Sequence, residues 1–498
     1  MTIKTGPVHN YRRPDMSWRD HLVMMLTSGA EIEHALMVQY LFAAYSINGD
    51  QDSEEHRAMV EGWRTSILTV AKEEMGHLLT VQNMLVLLGA PVNLGREMMP
   101  WDHQFYPFKF SLEALSKKTL QCFIYAEMPR LENVGTDAPG KSVRPAIEKQ
   151  TTIDEQKDII QEVTDAFPDA IMHQIGELYA EIIDLIADPK RIPDSAFNEA
   201  SYDMQACWDD WGRGYKPAPR SVAPDGNLDP AGDPGSGEPL SPFPDPLPGR
   251  PAHVQIDRAA TRAEAVKALR ALAAQGEAPH LIEDETGEPS HFERFARIYK
   301  DFKSIEKQQL SIKPTHDVKP NPTTRVDFHN LHPDATTYIG TAHEELAAHL
   351  LAQLFNQRYR LLLTNLAHSF RLARTQPVHQ PNLRGMVMHR VFGEMYNLKT
   401  IAGLLVRLPV GCGGRAGPPF EMPYSLDLPQ ADRDIWRLYD NLLANSHHTC
   451  TEVFRIAKAI PEARHQISGV SADVYLRTLM DLDSQTRHWI AKVIAGAT

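Results

Sequence analysis

The tetrapeptide Glu74-Met75-Gly76-His77 lies inside the largely apolar run Ile67 to Leu88. On a helix, residues three apart share a face, so a Glu-x-x-His pair can grip one metal ion from one side. Glu74 is flanked at helical spacing by Ile67, Val70, Ala71, Leu78, Val81 and Leu85, a stripe of core residues. A carboxylate on such a stripe is costly to bury without a partner. A metal ion held between helices keeps it ionised there. The competing reading of this pair alone is a surface Glu and His that happen to fall three apart.

A second stripe answers the first. Leu26, Ala30, Glu33, Met37, Tyr40 and Ala44 recur at steps of three and four, and only Glu33 among them is charged. The midpoint between Glu33 and Glu74 falls near residue 53, inside the polar stretch Asn48 to His56. Antiparallel helices joined by a hairpin place residues equidistant from the loop at the same level. Glu33 and Glu74 are therefore expected to face each other. Two facing core carboxylates plus His77 make half of a carboxylate-bridged di-iron or di-manganese centre.

The elements that must position these residues read as helices almost throughout. The first is expected after Ser17, with Asp20 completing a variant capping box, and ends before Asn48-Gly49. The second stops at Gly89-Ala90-Pro91. Residues 92 to 110 form an aromatic-rich loop, a shorter helix covers Leu112 to Glu127, and 131 to 152 look irregular. A third bundle helix is expected from about Pro168 to Ile186. The stretch Gly212 to Pro251 is dense in Pro, Gly, Asp and Ser and reads as a core-poor excursion. Helical pattern resumes over Thr261 to Glu277 and Pro289 to Phe302. Four further segments, Ile339 to Ala373, Val387 to Leu408, Ile435 to Ala459 and Ala472 to Ala497, suffice for a second antiparallel bundle. The expected fold class is all-α: a four-helix bundle over 1–310 followed by a C-terminal helical domain over 311–498.

A complete bundle site needs a third-helix carboxylate and a further carboxylate and His from the fourth. Glu177 is the third-helix candidate, although His173, Glu181 and Asp184 give it a polar stripe that could equally face water. For the fourth helix the sequence offers two alternatives. Glu288 and His291 have the i, i+3 spacing at a helix start, where Glu288 could instead be a cap. Otherwise a broken helix supplies Glu277 from one half and His291 from the other.

These residues resemble a family. Glu33-His34-Ala35 with Gln39-Tyr40, and Glu73-Glu74-Met75-Gly76-His77-Leu78 leading to Leu88-Gly89-Ala90-Pro91, are similar to the first two helices of ferritin-like proteins. Ile175-Gly176-Glu177-Leu178-Tyr179, Gln275-Gly276-Glu277, Ser290-His291-Phe292 with Arg294-Phe295, and Ala416-Gly417-Pro418-Pro419-Phe420-Glu421 resemble the iminophenyl-pyruvate dimer synthase family. Its best-known members join tryptophan-derived imines in violacein and indolocarbazole biosynthesis. The resemblance implies metal ligation by Glu177, Glu277 and His291 beside Glu33, Glu74 and His77, and favours Glu277 over Glu288. It also implies an aromatic amino acid or its imine as substrate. Tyr40 resembles the site tyrosine of ferritin-like proteins, with a hydrogen bond to a ligating carboxylate and plain core packing as alternatives.

Other residues carry less. Glu31 and His34 repeat the Glu-x-x-His spacing on a polar stripe with Thr27 and Ser28, so they read as supporting or surface groups. Glu127, before Pro129, resembles a family position, with capping or surface roles as ready a reading as metal ligation. His343, His349, His368, His389, His447 and His448 have no second carboxylate stripe facing them, and the segment Asn356 to Arg360 shows no role.

The composition fits this picture. A formal net charge of -13 argues against a nucleic-acid or anionic-membrane partner. No apolar run reaches membrane-spanning length, and Met1 to Asp15 has no secretory h-region. Cys122, Cys207, Cys412 and Cys450 are scattered, without a Cys-x-x-Cys or a haem-attachment motif, so a reduced, cytoplasmic protein is expected. Three function classes follow: a dioxygen-dependent oxidase or oxygenase with two iron ions (manganese as the alternative) and a small-molecule substrate, a ferroxidase without organic substrate, and a metal-free structural protein. The aromatic loop, the broken fourth helix and the second bundle add surface that iron storage does not need, which favours the enzyme. Homo-oligomerisation through the C-terminal helices is a further expectation.

Overall fold

The computed structural model describes residues 15–128, 153–171, 174–206, 254–276, 289–325, 343–372, 383–411, 413–457 and 472–495, together with the paired dipeptides 221–222, 228–229, 336–337, 466–467 and 470–471. Eleven α-helices are present among the described residues, and the fold is all-α. The first, α1 (Trp18–Ser46), starts on a complete Ser17/Asp20 capping box, and α2 (Glu54–Leu87) starts on Ser53. Beyond α2 the chain turns at Gly89, whose φ of 66° suits a residue without a Cβ. The two helices pack against each other along most of their length.

Shorter helices cover this hairpin: α3 (Lys117–Glu127), α4 (Ile153–Ala166), α5 (Gln174–Ala187), α6 (Arg262–Gly276) and α7 (His291–Gln308). Here α3 pairs with α7 and α5 with α6, while α5 lies on α1 and both α6 and α7 lie on α2. The fourth bundle position is thus split between α6 and α7. The third position, expected as one helix from Pro168, is split as well, between α3 and α5. Helix α4 was not expected at all. Its buried apolar residues are Ile159, Ile160 and Val163, continued by Phe167, and its other face is mostly polar and charged. It packs on α3 and α7, where Lys303 pairs with Glu162 at 2.5 Å.

Helices α8 (His343–Ser369), α9 (Leu383–Leu405), α10 (Asp432–Ala457) and α11 (Ala472–Ile494) form the second bundle, with α8 between α9 and α10 and α11 against α10. One continuous apolar core runs from Leu22 to Leu479 through both bundles. The join is polar as well as apolar: Arg96 donates to the Phe420 carbonyl at 2.5 Å, and the guanidinium of Arg384 donates to the Gln205 carbonyl at 3.0 Å. No helix among the described residues is long and apolar enough to cross a membrane. Apart from two short paired dipeptides, the excursion 212–251 lies outside the described residues.

His368 of α8 is buried against Trp436 and Tyr439, and burial pulls its pKa down to about 4, with Asp432 opposing and Arg371 assisting. A histidine depressed in the folded state contributes stability that is intact above its unfolded value near 6.5 and is lost as pH falls towards 4. Acidification from about pH 7 to about pH 5.5 is therefore expected to cost about 1 kcal/mol through this residue. His368→Gln should flatten that part of the stability profile in urea melts; an unchanged slope would rule this source out.

Candidate metal centre

Four helices converge on one buried cluster. Glu33 comes from α1, Glu74 and His77 from α2, Glu127 from the last turn of α3, and His291 from the first residue of α7. Each is at most 4% exposed. The local reasons differ. Glu33, Glu74 and His77 sit on the inward faces of long helices. His291 is fixed by a second complete capping box, Ser290 with Glu293. Gly76 lets the segment 254–256 cross α2 directly over the Glu-x-x-His turn: a Cβ there would lie 2.6 Å from the Gln255 carbonyl oxygen.

The residues form two triads that share Glu74. In one, Glu33, Glu74 and His77 bring their donor atoms within 4.8 Å of one another; in the other, Glu74, Glu127 and His291 do the same. His77 Nδ1 lies 3.1 Å from Glu74 Oε2 and 3.5 Å from Glu33 Oε2. His291 Nδ1 lies 3.0 Å from Glu74 Oε1 and 3.6 Å from Glu127 Oε2. The two imidazoles are stacked with centroids 5.4 Å apart.

A ring of hydrogen bonds holds these donors. Tyr40 donates to Glu127 Oε1 at 2.5 Å, and Tyr179 donates to Glu33 Oε1. His77 Nε2 meets Gln275 Oε1 at 2.9 Å, and His291 Nε2 meets Glu73 Oε2 at 3.1 Å. Arg294 lies 3.5 Å from the other oxygen of Glu73.

The electrostatics show how heavily this cluster is loaded. Burial, and then the charge of Glu74, pushes Glu33 up to about 8. Burial works against charge on His77, yet the adjacent carboxylates of Glu33 and Glu74 outweigh that and raise it to about 10. Burial likewise opposes charge on His291, and the Glu74 carboxylate overrides it, so this ring too is raised. Glu73 is held low despite burial, first by Arg294. Protons thus gather where the carboxylates converge, as they do where cations are otherwise needed.

The donor set fits a pair of metal ions. Glu33 Oε2 and His291 Nδ1 are buried, face the shared space, and make no hydrogen bond. Carboxylate oxygens and imidazole nitrogens suit iron or manganese, and the two triads give capacity for two ions without naming the metal.

Not every expected residue is placed here. Glu177 is half-buried in the first turn of α5 and belongs to neither triad; two residues on, Tyr179 reaches Glu33 instead. Glu277 and Glu288 lie outside the described residues. Their neighbours Gln275 and His291 nonetheless bring the facing ends of α6 and α7 to the same pair of imidazoles. Glu127, left open between ligand and cap or surface group, brings its carboxylate into the second triad. It stands three and four residues after Ile124 and Phe123 on a buried stripe, the same signal that marks Glu33. His34, taken as supporting or surface, is fully buried and bonds Tyr359 of the second bundle.

A cavity of about 730 Å³ lies on the far side of Phe123 from Tyr40, and none of the five clustered donors lines it. The rings of Tyr106, Phe108, Phe123 and Phe167 wall it, with Gln39 and Asn321 as polar points and exposed Lys109 and Lys118 at the edge. Phe123 packs edge-on against Tyr40 at 4.7 Å, so one ring separates the cavity from the tyrosine that holds Glu127.

A family model described as ferritin-like matches residues 26–211. The dichlorochromopyrrolate synthase of Lentzea aerocolonigenes is 27% identical over 483 residues, covering 90% of this chain and 40% of that enzyme. Residues 26–211 are thus similar to ferritin-like proteins, and most of the chain is similar to such a synthase. The 2-imino-3-(indol-3-yl)propanoate dimerase of Chromobacterium violaceum is 33% identical over 144 residues, 24% of this chain and 14% of the dimerase. The chain therefore spans well under half the length of the curated relatives it matches. No solved structure matches it.

Proposed function

We propose that this protein is a metal-dependent oxidase or oxygenase, with two iron ions or alternatively manganese, acting on a small, aromatic, amino-acid-derived substrate of secondary metabolism. The observation that carries the reading is the pair of Glu/Glu/His triads sharing Glu74, with a ring-lined cavity beyond Tyr40 and Phe123. Metal ions bound there would supply dioxygen binding and redox chemistry. Glu33, Glu74, His77, Glu127 and His291 would hold them, with Glu177 and either Glu277 or Glu288 proposed as further ligands.

The protein's own part is orientation and exclusion of water. Tyr40 and Tyr179 fix which oxygen of Glu127 and of Glu33 turns inward. The aromatic walls would bind a planar ring, and Lys109 and Lys118 stand in the lining with one carboxylate, Glu113. Cys122 also lines the cavity, and burial pushes its thiol up to about 12, so it meets a substrate uncharged. The names of the relatives, a synthase and an imine dimerase, support an aromatic imine as the substrate class.

The test is dioxygen uptake by iron-loaded protein, with an indole-pyruvate imine generated in place from tryptophan, against Fe(II) alone. Imine-dependent uptake beyond the Fe(II) control is expected. Ala114→Trp, which fills the cavity, should abolish or cut that uptake at least tenfold while leaving Fe(II) oxidation unchanged. Oxidation of Fe(II) without any substrate response would instead make the protein a ferroxidase.

A further inference from the structure

The two triads are matched in their direct donors. Each has one carboxylate of its own, Glu33 or Glu127, one imidazole Nδ1 and a share of Glu74. Each private carboxylate also accepts one tyrosine hydroxyl, from Tyr179 or from Tyr40. The match ends behind the imidazoles. His77 Nε2 faces the neutral amide oxygen of Gln275, whereas His291 Nε2 faces the carboxylate of Glu73.

A carboxylate behind the far nitrogen makes an imidazole a stronger and more firmly oriented donor. Arg294 does not cancel this effect. It lies 3.5 Å from Glu73 Oε1, while the other oxygen, Oε2, is 3.1 Å from the imidazole. The nearer charge dominates at the ring, and the arginine keeps that carboxylate ionised and in place. An amide can accept the same hydrogen bond but brings no net charge.

We infer that Glu73 and Gln275 make the two metal positions unequal, so that the position at His291 binds a divalent cation more tightly than the position at His77. The inference rests on the two-metal reading above. It names Glu73 and Gln275 as positioning residues, each acting through the histidine it backs, and gives the centre a loading order that the two triads alone do not.

The experiment is an anaerobic titration of chelator-stripped protein with Co(II), followed by visible absorption and by calorimetry. Two resolved steps are expected, the tighter lost in His291→Ala and the weaker lost in His77→Ala. Glu73→Gln should weaken the tighter step about 10- to 100-fold and leave the other in place. Gln275→Glu, at a half-buried position, should tighten the weaker step towards the first, and it carries the test by itself if Glu73→Gln does not fold. Two Co(II) ions bound with steps that both variants leave unmoved, or that each variant shifts together, would overturn the inequality while the two-metal reading stands. Fewer than two Co(II) ions on the parent chain would overturn the two-metal reading itself.

Discussion

Glu74→Ala is expected to strip both metal ions from the protein, whereas His77→Ala and His291→Ala each remove one. The reason is topological: Glu74 is the one residue common to both triads, with Oε2 towards His77 and Oε1 towards His291. Losing it removes a donor from each position and also the charge that most favours His291 as a cation. The bundle itself should survive, because α1 and α2 are held by a long apolar seam on either side of the site. Elemental analysis of the purified variants should give about two ions per parent chain, about one for each histidine variant and about none for Glu74→Ala, with unchanged helical circular dichroism. A thermal midpoint that rises with added metal in the parent and not in Glu74→Ala would follow by linkage, about 2.7 kcal/mol at a hundredfold excess over Kd. Parental metal content in Glu74→Ala would remove the shared ligand from the argument.

How much of this centre could be read in advance depended on whether the signal was local. Glu33, Glu74 and His77 were legible because each interrupts a long apolar stripe, and burial of a charge is expensive enough to demand an explanation. The Ser17 cap was legible for a related reason, since its side chain and the Asp20 partner are three residues apart. Glu127 carries the same kind of stripe, but on an 11-residue helix ending before Pro129, where a cap reading competes. Tyr179 gave no local sign, because its partner Glu33 is 146 residues away. His34 misled for the opposite reason: its polar neighbours Thr27 and Ser28 suggest solvent, yet Tyr359 covers it from 325 residues further along. The split third position was also illegible, since α3 and α5 are brought into line only by pairing with α7 and α6. Periodicity reports which face of a helix is buried and leaves open what it is buried against.

The second large effect is expected at Arg358, in a segment that looked featureless in the sequence. Its guanidinium sits at the centre of the second bundle and touches every helix there. It donates to Glu394 of α9 at 2.8 Å, to Ser446 of α10 at 3.1 Å and to Asp483 of α11 at 2.7 Å. All four residues are buried. Burial already pushes Glu394 above the ordinary carboxylate range, and Arg358 is the charge that opposes this. Arg358→Met would leave two buried carboxylates unpaired, at a cost of about 3–5 kcal/mol. Adding Glu394→Leu and Asp483→Leu should recover most of that loss, because it removes the stranded charges as well as the bond. The size of the thermal shift then tests the division of the chain at residue 311. Unfolding entropy scales at about 2.1 cal/mol/K per residue, so a chain of 498 residues melting as one unit would shift by only about 3–5 °C. A C-terminal unit melting separately has well under half that entropy, and the same loss would move its own transition by about 10 °C while leaving the metal-dependent transition of the first bundle where it was. A single transition displaced by the smaller amount would mean that the continuous core joining the bundles makes them one cooperative unit.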